Sequence, residues 1–451
     1  MILSPAFSGK RFAVLGLARS GMAAAETLIR SGAQVTAWDR EEASRAALAG
    51  RADIADPAVI ELSGFDGVVV SPGVPLNSHP VAANARAAGV PIIGDIELFA
   101  QARADLPSHR VAGITGTNGK STTTALLHHI LECAGIPTMM GGNIGLPVLA
   151  EAPLAAGGVY VLELSSYQID LTHSLDCDVA GLMNITPDHL DRYAGFAGYA
   201  ASKGRLFAMQ GASHFAAFGC ADDATTAICK AEAARRLAGM AVCLEPDSYA
   251  AMQADWFSLQ GPHNLQNAAM AIALAEALGV TEQQWRPALK SFRGLAHRME
   301  RLCTANGVLF INDSKATNPA STAPALAAFP PDPGPRIHWI LGGLPKGDDL
   351  GECASYLDNV AAAYTIGEAG QRFAELLEQA VPVQRCEMLA EAVNRALAAA
   401  RPGDVVLFSP ACASFDQFRD YEARGDCFRQ LVSVLVGGSC AADIERGRSA
   451  A

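Results

Sequence analysis

The sequence predicts an α/β protein of three domains, each built on a mostly parallel sheet flanked by helices. Three observations predict it. Short apolar runs alternate with helical patterns along the chain, two glycine-rich loops follow such runs, and 451 residues suit about three domains. Half of the residues are hydrophobic and 18% are charged, which is enough to build cores of that size. A net charge of −12 speaks against nucleic-acid binding. No apolar run reaches the roughly 18 residues of a membrane span, so no membrane insertion is expected. The start of the chain lacks signal-peptide architecture, because Lys10 and Arg11 follow a short proline-broken stretch. Eleven cysteines without a Cys-x-x-Cys pair suggest free thiols in a reducing cytoplasm.

The first hundred residues carry the runs Phe12 to Leu15, Val35 to Trp38, Val68 to Val70 and Val90 to Ile93, read as buried parallel strands. Helices such as Met22 to Arg30 lie between them. After the first strand comes Gly16-Leu17-Ala18-Arg19-Ser20-Gly21, and Asp39 ends the second strand. This has the layout of a dinucleotide loop, but Ala18 stands where the second glycine lets a pyrophosphate approach. A nucleotide can still use the helix N-terminus and the Asp39 carboxylate; plain strand–helix packing is the alternative, and a nicotinamide nucleotide is disfavoured. Ser71-Pro72-Gly73-Val74-Pro75 is a second rigid loop at the same sheet edge, where ligands of such folds bind.

The second block opens with the apolar run Val111 to Ile114, then Thr115-Gly116-Thr117-Asn118-Gly119-Lys120-Ser121-Thr122, then a helical pattern. Strand, glycine loop, Lys-Ser and helix form a phosphate cradle. Backbone N–H groups face the phosphates, the lysine reaches the terminal ones and the hydroxyl reaches Mg²⁺. The strict motif asks for glycine at position 114, which is isoleucine; a helix-capping turn is the bland reading. Glu163 ends an apolar strand, where a charge needs a cation, with Mg²⁺ or a salt bridge as the choices. The segment Asn184 to Tyr193 crowds His189 between acidic residues, which favours ligation or substrate contact. Lys203, on the helix-like run Tyr199 to Met209, reads as a solvated surface lysine by pattern alone. The third block, from about Leu295, repeats the alternation with Val308 to Ile311, Trp339 to Leu341 and Val405 to Phe408. Residues from about 437 on read as a disordered tail.

Six segments occur in order: Gly-Ile-Thr-Gly-Thr-Asn-Gly-Lys-Ser, Leu-Glu-Leu-Ser-Ser-Tyr-Gln, Asp-His-Leu-Asp-Arg-Tyr, Ala-His-Arg-Met-Glu, Asn-Asp-Ser-Lys-Ala-Thr-Asn and Ser-Pro-Ala-Cys-Ala-Ser-Phe-Asp-Gln-Phe. Together they resemble the Mur ligases, most closely the glutamate-adding members, over nearly the whole chain. The resemblance implies a Rossmann-like domain at 1–98 for a UDP-sugar, a P-loop ATPase-like domain at 99–294, and a Rossmann-like amino-acid domain at 295–451. It implies ATP-dependent joining of D-glutamate to UDP-N-acetylmuramoyl-L-alanine through an acyl phosphate, for peptidoglycan precursors, in the cytoplasm and as a monomer.

The same resemblance implies the site residues. Arg19, Ser20, Asp39, Arg40, Ser71, Pro72 and Gly73 match the UDP-sugar contacts. Gly116, Thr117, Asn118, Gly119, Lys120, Ser121, Thr122, Asn143, Asn264, Asn267, His297, Arg298, Asp313 and Lys315 match those of ATP. Ser121, Glu163, His189 and Lys203 match the holders of two Mg²⁺ or Mn²⁺ ions, with CO₂ bound as a carbamate on Lys203. Lys120, Glu163, His189 and Lys203 match the catalytic set. His189, Thr317, Lys346, Ser414 and Tyr421 match the D-glutamate pocket. Two positions depart from the family: Pro345 precedes Lys346 where an Asp is frequent, and Tyr421 stands where some members have Phe. A ligase for another amino acid or a folate, a nucleotide-sugar oxidoreductase and an inactive nucleotide-binding regulator are the rival readings.

Overall fold

The computed structural model describes residues 1–188, 192–256, 258–345, 347 and 349–437. The expected site residues His189 and Lys346 and the expected tail from 438 lie outside the described residues. The described chain forms two compact units, Met1–Phe292 and Arg293 onward.

The first unit holds two sheets. One comprises β1 (Arg11–Leu15), β2 (Gln34–Trp38), β3 (Asp53–Ile54), β4 (Gly67–Val70) and β5 (Ile92–Ile93), all parallel in the order β3-β2-β1-β4-β5. The other comprises β6 (His109–Thr115), β7 (Thr138–Gly142), β8 (Gly158–Glu163), β9 (Val179–Leu182), β10 (Phe215–Phe218) and β11 (Ala241–Cys243), also all parallel. Its order is β11-β10-β9-β6-β8-β7. Every residue of β4, β8 and β9 is buried, the consequence of helices covering both faces. The helices Lys120–Cys133 and Pro262–Ala277 pack one face of the second sheet through Leu126, Leu127, Met270 and Leu274.

The second unit has one sheet: β12 (Glu300–Ala305), β13 (Val308–Asn312), β14 (Ile337–Gly342), β15 (Val360–Ile366), β16 (Val383–Glu387) and β17 (Val405–Phe408). The order is β12-β13-β17-β14-β15-β16, and only the β12–β13 hairpin is antiparallel. The switch from β13 to β17 to β14 places the loops after these strands at one sheet edge, where ligands of open α/β sheets bind. Nine described cysteines are free thiols. No described helix is long and apolar enough to cross a membrane.

His338 on β14 is buried, with Nδ1 2.9 Å from the Tyr364 hydroxyl and Nε2 3.2 Å from Asp404. Burial holds its pKa below the ordinary 6.5, against the pull of Asp404. The unfolded chain therefore takes up this proton first as the pH falls. The stability that the neutral ring contributes is present above 6.5 and is lost below it. A His338→Gln variant is expected to lose less melting temperature than the parent between about pH 7.5 and 5.5, although it starts lower, as calorimetry at a pH series would read.

Candidate functional site

The loop between β6 and the helix Lys120–Cys133 is shaped by two glycines. Gly116 has φ 146° and Gly119 has φ 87°, conformations that favour glycine. A Cβ on Gly116 would lie 2.7 Å from Cβ of Met183, and one on Gly119 would lie 2.3 Å from Oδ1 of Asn267. The loop is clamped from the exit of β9. Thr117 N–H donates to the Asn184 carbonyl at 2.8 Å, and Asn118 N–H donates to Asn184 Oδ1 at 2.9 Å. Asn184 Nδ2 returns a bond to the Asn118 carbonyl at 3.1 Å. No side chain caps the helix start at Gly119, so its first N–H groups remain available to an anion. Lys120 Nζ donates to the Thr117 carbonyl at 2.8 Å, folded back over the loop. Asn267 reaches the loop from the helix Pro262–Ala277, and its Nδ2 donates to Asn264 Oδ1 at 3.1 Å.

Beside this loop sit the carboxylate and the lysine. Glu163, at the end of β8, is 2% exposed. Its Oε1 accepts from Asn143 Nδ2 at 2.8 Å, while its Oε2 is buried without a hydrogen-bond partner. An unpartnered buried carboxylate oxygen is costly, and a divalent cation is the ligand it fits. The Ser121 hydroxyl, buried at the helix start, is the matching oxygen donor. Lys203 corrects the surface reading: it is 1% exposed, on the inner face of the helix Gly195–Ala208 with Tyr199 and Ser202. A helical pattern of small residues does not reveal which face a neighbouring strand will cover. Its Nζ donates to the Gly116 carbonyl at 2.8 Å and lies 4.6 Å over the Tyr199 ring. Burial, with Lys120 adding to it, pushes its pKa down to about 7, against Asp188, Asp170 and Glu163. Among the described residues no group of three His, Cys, Asp or Glu side chains is placed to hold a metal. The proposed donor set includes only one such described side chain, Glu163.

At the first sheet, Gly16 turns at φ 86° and Ser71 Oγ donates to its carbonyl at 2.9 Å, joining the two loops expected there. A Cβ on Gly21 would lie 1.8 Å from the Gly16 carbonyl oxygen, which explains the glycine that closes the loop. Asp39 accepts Leu17 N–H at 2.5 Å and Glu41 N–H at 3.0 Å. Burial raises its pKa, but these bonds and Arg45 leave the net shift downward. Arg19, Arg40 and Gly73 are exposed, and Ser20 and Pro72 are half-buried at the same edge. Sequence reasoning missed the neighbouring cavity of about 130 Å³ that Pro72 and Val74 share with Tyr167, Arg192 and Tyr193. Arg192 spans it, 4.3 Å over the Tyr167 ring, with Nη2 donating to the Val74 carbonyl at 3.0 Å. No local signal marks it, because its walls meet only in the fold.

In the second unit, the turn that opens the third block brings four of the expected site residues together. His297 is buried at φ 62° and Met299 has φ 45°. The His297 carbonyl accepts Lys315 N–H at 2.9 Å, and Met299 N–H donates to Asp313 Oδ1 at 3.0 Å. Burial pushes the Asp313 carboxyl up to about 7, against the Ser409 hydroxyl, the Met299 N–H and Arg298. Lys315 Nζ lies 5.6 Å over the Tyr421 ring, which stands edge-on to His297 at 6.3 Å. Thr317 is half-buried in the loop after β13, and Ser414 is buried in the loop after β17. Arg424, which the sequence did not single out, ties these loops. It donates to Ser314 Oγ and to the carbonyls of Ser314, Cys412 and Ala413.

Two family models match the chain: "Mur ligase middle domain" over residues 114–244 and "Mur ligase, glutamate ligase domain" over 297–412. A UDP-N-acetylmuramoylalanine–D-glutamate ligase of Novosphingobium aromaticivorans is 66% identical, covering 97% of each chain. The protein of that name in Sphingopyxis alaskensis is 58% identical over 96% of this chain and all of its own. Among solved structures, the MurC ligase of Thermotoga maritima matches at TM-score 0.55 and 18% identity, covering 93% of this chain and 98% of that one. The MurF ligase of Thermotoga maritima, solved with ADP, matches at TM-score 0.54 and 16% identity, covering 97% and 96%. The chain belongs to the Mur ligase family.

Two outcomes are expected of the loop. Gly116→Ala should destabilise by about 1–3 kcal/mol and abolish the rise in melting temperature that ATP gives the parent, read by scanning fluorimetry. The Lys203 amine, labelled by ¹³C-reductive methylation and followed by NMR, should titrate near 7 while surface lysines titrate above 10. A midpoint near 10 would contradict its buried setting.

Proposed function

We propose that this Mur ligase joins D-glutamate to the alanyl carboxylate of UDP-N-acetylmuramoyl-L-alanine, using ATP, in peptidoglycan precursor synthesis. The observation that carries this is identity of 66% and 58%, over nearly the full chain, to ligases of that name. The glycine cradle and the unpartnered Glu163 oxygen beside it support a nucleotide and a cation. A carboxylate is a poor electrophile, so its oxygen first attacks the γ-phosphorus of ATP, releasing ADP and forming an acyl phosphate. The D-glutamate amine then attacks the acyl carbon, and the tetrahedral species collapses to the amide with loss of phosphate and a proton.

Each residue takes a task in this scheme. Gly116, Gly119 and Thr122 bind the phosphates through loop N–H groups and the helix start, and Thr117 and Asn118, whose own N–H groups are held by Asn184, complete the ATP-binding loop. Lys120 is within reach of the transferring phosphoryl and stabilises the charge that develops on it. Asn143 orients Glu163 through the 2.8 Å bond from its side chain, and Asn264 and Asn267 contact the nucleotide. Ser121, Glu163 and Lys203, with His189, fit two Mg²⁺ or Mn²⁺ ions, which when bound neutralise phosphate charge. Near pH 7 Lys203 is partly the neutral amine, the form that adds CO₂ to give a carbamate and a proton. In the second unit His297, Arg298, Asp313 and Lys315 serve ATP, while Thr317, Lys346, Ser414 and Tyr421 serve D-glutamate.

Arg19, Ser20, Asp39, Arg40, Ser71, Pro72 and Gly73 serve the UDP-sugar. The divisions 1–98, 99–294 and 295–451, each containing one sheet, are the corresponding domains, and the enzyme acts as a cytoplasmic monomer.

The test is phosphate release by the purified protein with ATP, Mg²⁺ and UDP-N-acetylmuramoyl-L-alanine, adding D-glutamate, L-glutamate or neither. Release is expected with D-glutamate alone, with a product heavier by one glutamyl residue. Lys120→Ala should lower kcat by about 10²–10³-fold. Release indifferent to the amino acid, or turnover only with a folate, would move the assignment to another ligase of the family.

A further inference from the structure

The turn His297-Arg298-Met299 is not self-supporting. Two of its three residues sit in the left-handed region without being glycine, so neighbouring groups must hold them there. Asp313 holds Met299, as described above. His297 is held by Glu300, a residue to which the proposed reaction gives no task.

Glu300 Oε2 accepts the His297 N–H at 2.9 Å and Asn312 Nδ2 at 3.0 Å, while Oε1 accepts Arg429 Nη2 at 2.7 Å. Asn312 is fully buried, and its Nδ2 also lies 3.1 Å from His297 Nδ1 and 3.1 Å from the Gly425 carbonyl. Asn312 Nδ2 has two hydrogens among three neighbours, Glu300 Oε2, the Gly425 carbonyl and His297 Nδ1, and so braces the ring between Glu300 and the helix. Burial favours the neutral ring. The ring is seated against the helix Tyr421–Val436 at Gly425, where a Cβ would lie 2.1 Å from Nδ1.

We propose that Glu300 is a positioning residue for ATP use. Its carboxylate fixes the left-handed backbone of His297 directly and the place of its ring through Asn312, so that the His297–Arg298 pair is ordered before the nucleotide arrives. This rests on the reading that His297 and Arg298 serve ATP. Arg429 balances the buried charge, and its bond joins β12 to the helix Tyr421–Val436. A purely structural role for Glu300 would lie in that ion pair. The positioning role lies in the bonds of Oε2.

Three full-length variants separate the two roles. Glu300→Ala removes every bond. Glu300→Gln keeps an amide oxygen able to accept the His297 N–H and gives up the ion pair. Arg429→Met gives up the ion pair and leaves the carboxylate. Phosphate release is measured with ATP varied and the other substrates saturating, alongside melting temperature and affinity for a fluorescent ATP analogue. Glu300→Ala is expected to raise KM for ATP about tenfold or more, with KM for D-glutamate and the UDP-sugar within about twofold. Glu300→Gln and Arg429→Met are expected to lower the melting temperature yet keep KM for ATP within about threefold of the parent. Should Glu300→Ala not fold, these two decide the matter through KM and the analogue. KM for ATP unchanged in Glu300→Ala, or raised in the other two in step with lost stability, would overturn the proposal. A parent that releases no D-glutamate-dependent phosphate would instead sink the functional reading, and analogue binding would still rank the variants.

Discussion

The bond from the buried Lys203 amine to the Gly116 carbonyl is the contact on which the central site depends. It ties the helix Gly195–Ala208 to the phosphate loop and fills the space behind that loop with a group that titrates near neutrality. Asn184 makes the same tie from the exit of β9. With the loop held in this way, the Met183 side chain leaves no room for a Cβ at position 116 and Asn267 leaves none at position 119, and the glycines follow. The signature thus records a loop pressed between two neighbours, with its outer face left open to phosphate. The absent first glycine of the strict motif fits this account, since Ile114 is a fully buried residue of β6 and lies before the turn.

An acidic protein that handles anions must concentrate positive charge locally. The chain does so with few cations, each placed among backbone dipoles. Lys120 bends over its own loop, and the Arg424 guanidinium faces three carbonyls and a hydroxyl with no carboxylate among its bonds. Burial pushes Arg424 down to about 10, still charged at neutral pH. The acids are treated in the opposite sense. Burial lifts Asp313 to about 7, so it carries only part of a negative charge near neutrality, and lifts Asp95 to about 6. In the second unit Asp313 and Glu300 spend their oxygens on the backbone of a strained turn. Strain of that kind, of order 1–3 kcal/mol per residue, persists only where the surroundings over-determine it.

The alternation of apolar runs and helical patterns was legible because parallel strands covered on both faces leave unbroken apolar segments, as in β4, β8 and β9. The glycine loops were legible because turn geometry is a local demand on φ. Lys203 was not, because its burial depends on which side of a helix meets the loop 116–119. Glu300 and Arg424 escaped for the same reason: each acts through a bond to a residue far along the chain, at Arg429 for one and at Ser314 for the other. Their chemistry is ordinary, and their partners exist only after the sheet of the second unit has formed. The cavity beside Ser71–Pro75 is similar, since Arg192 reaches Val74 from 118 residues along the chain.

The central claim is that the alanyl carboxylate is phosphorylated before the amide forms. The most direct measurement is oxygen transfer with UDP-N-acetylmuramoyl-L-alanine labelled with ¹⁸O in its carboxylate, turned over with ATP and D-glutamate. An acyl phosphate gives up one carboxylate oxygen with the departing phosphate, so the inorganic phosphate should carry a single ¹⁸O by mass spectrometry. Unlabelled phosphate, with both heavy oxygens lost to water or retained elsewhere, would contradict the account.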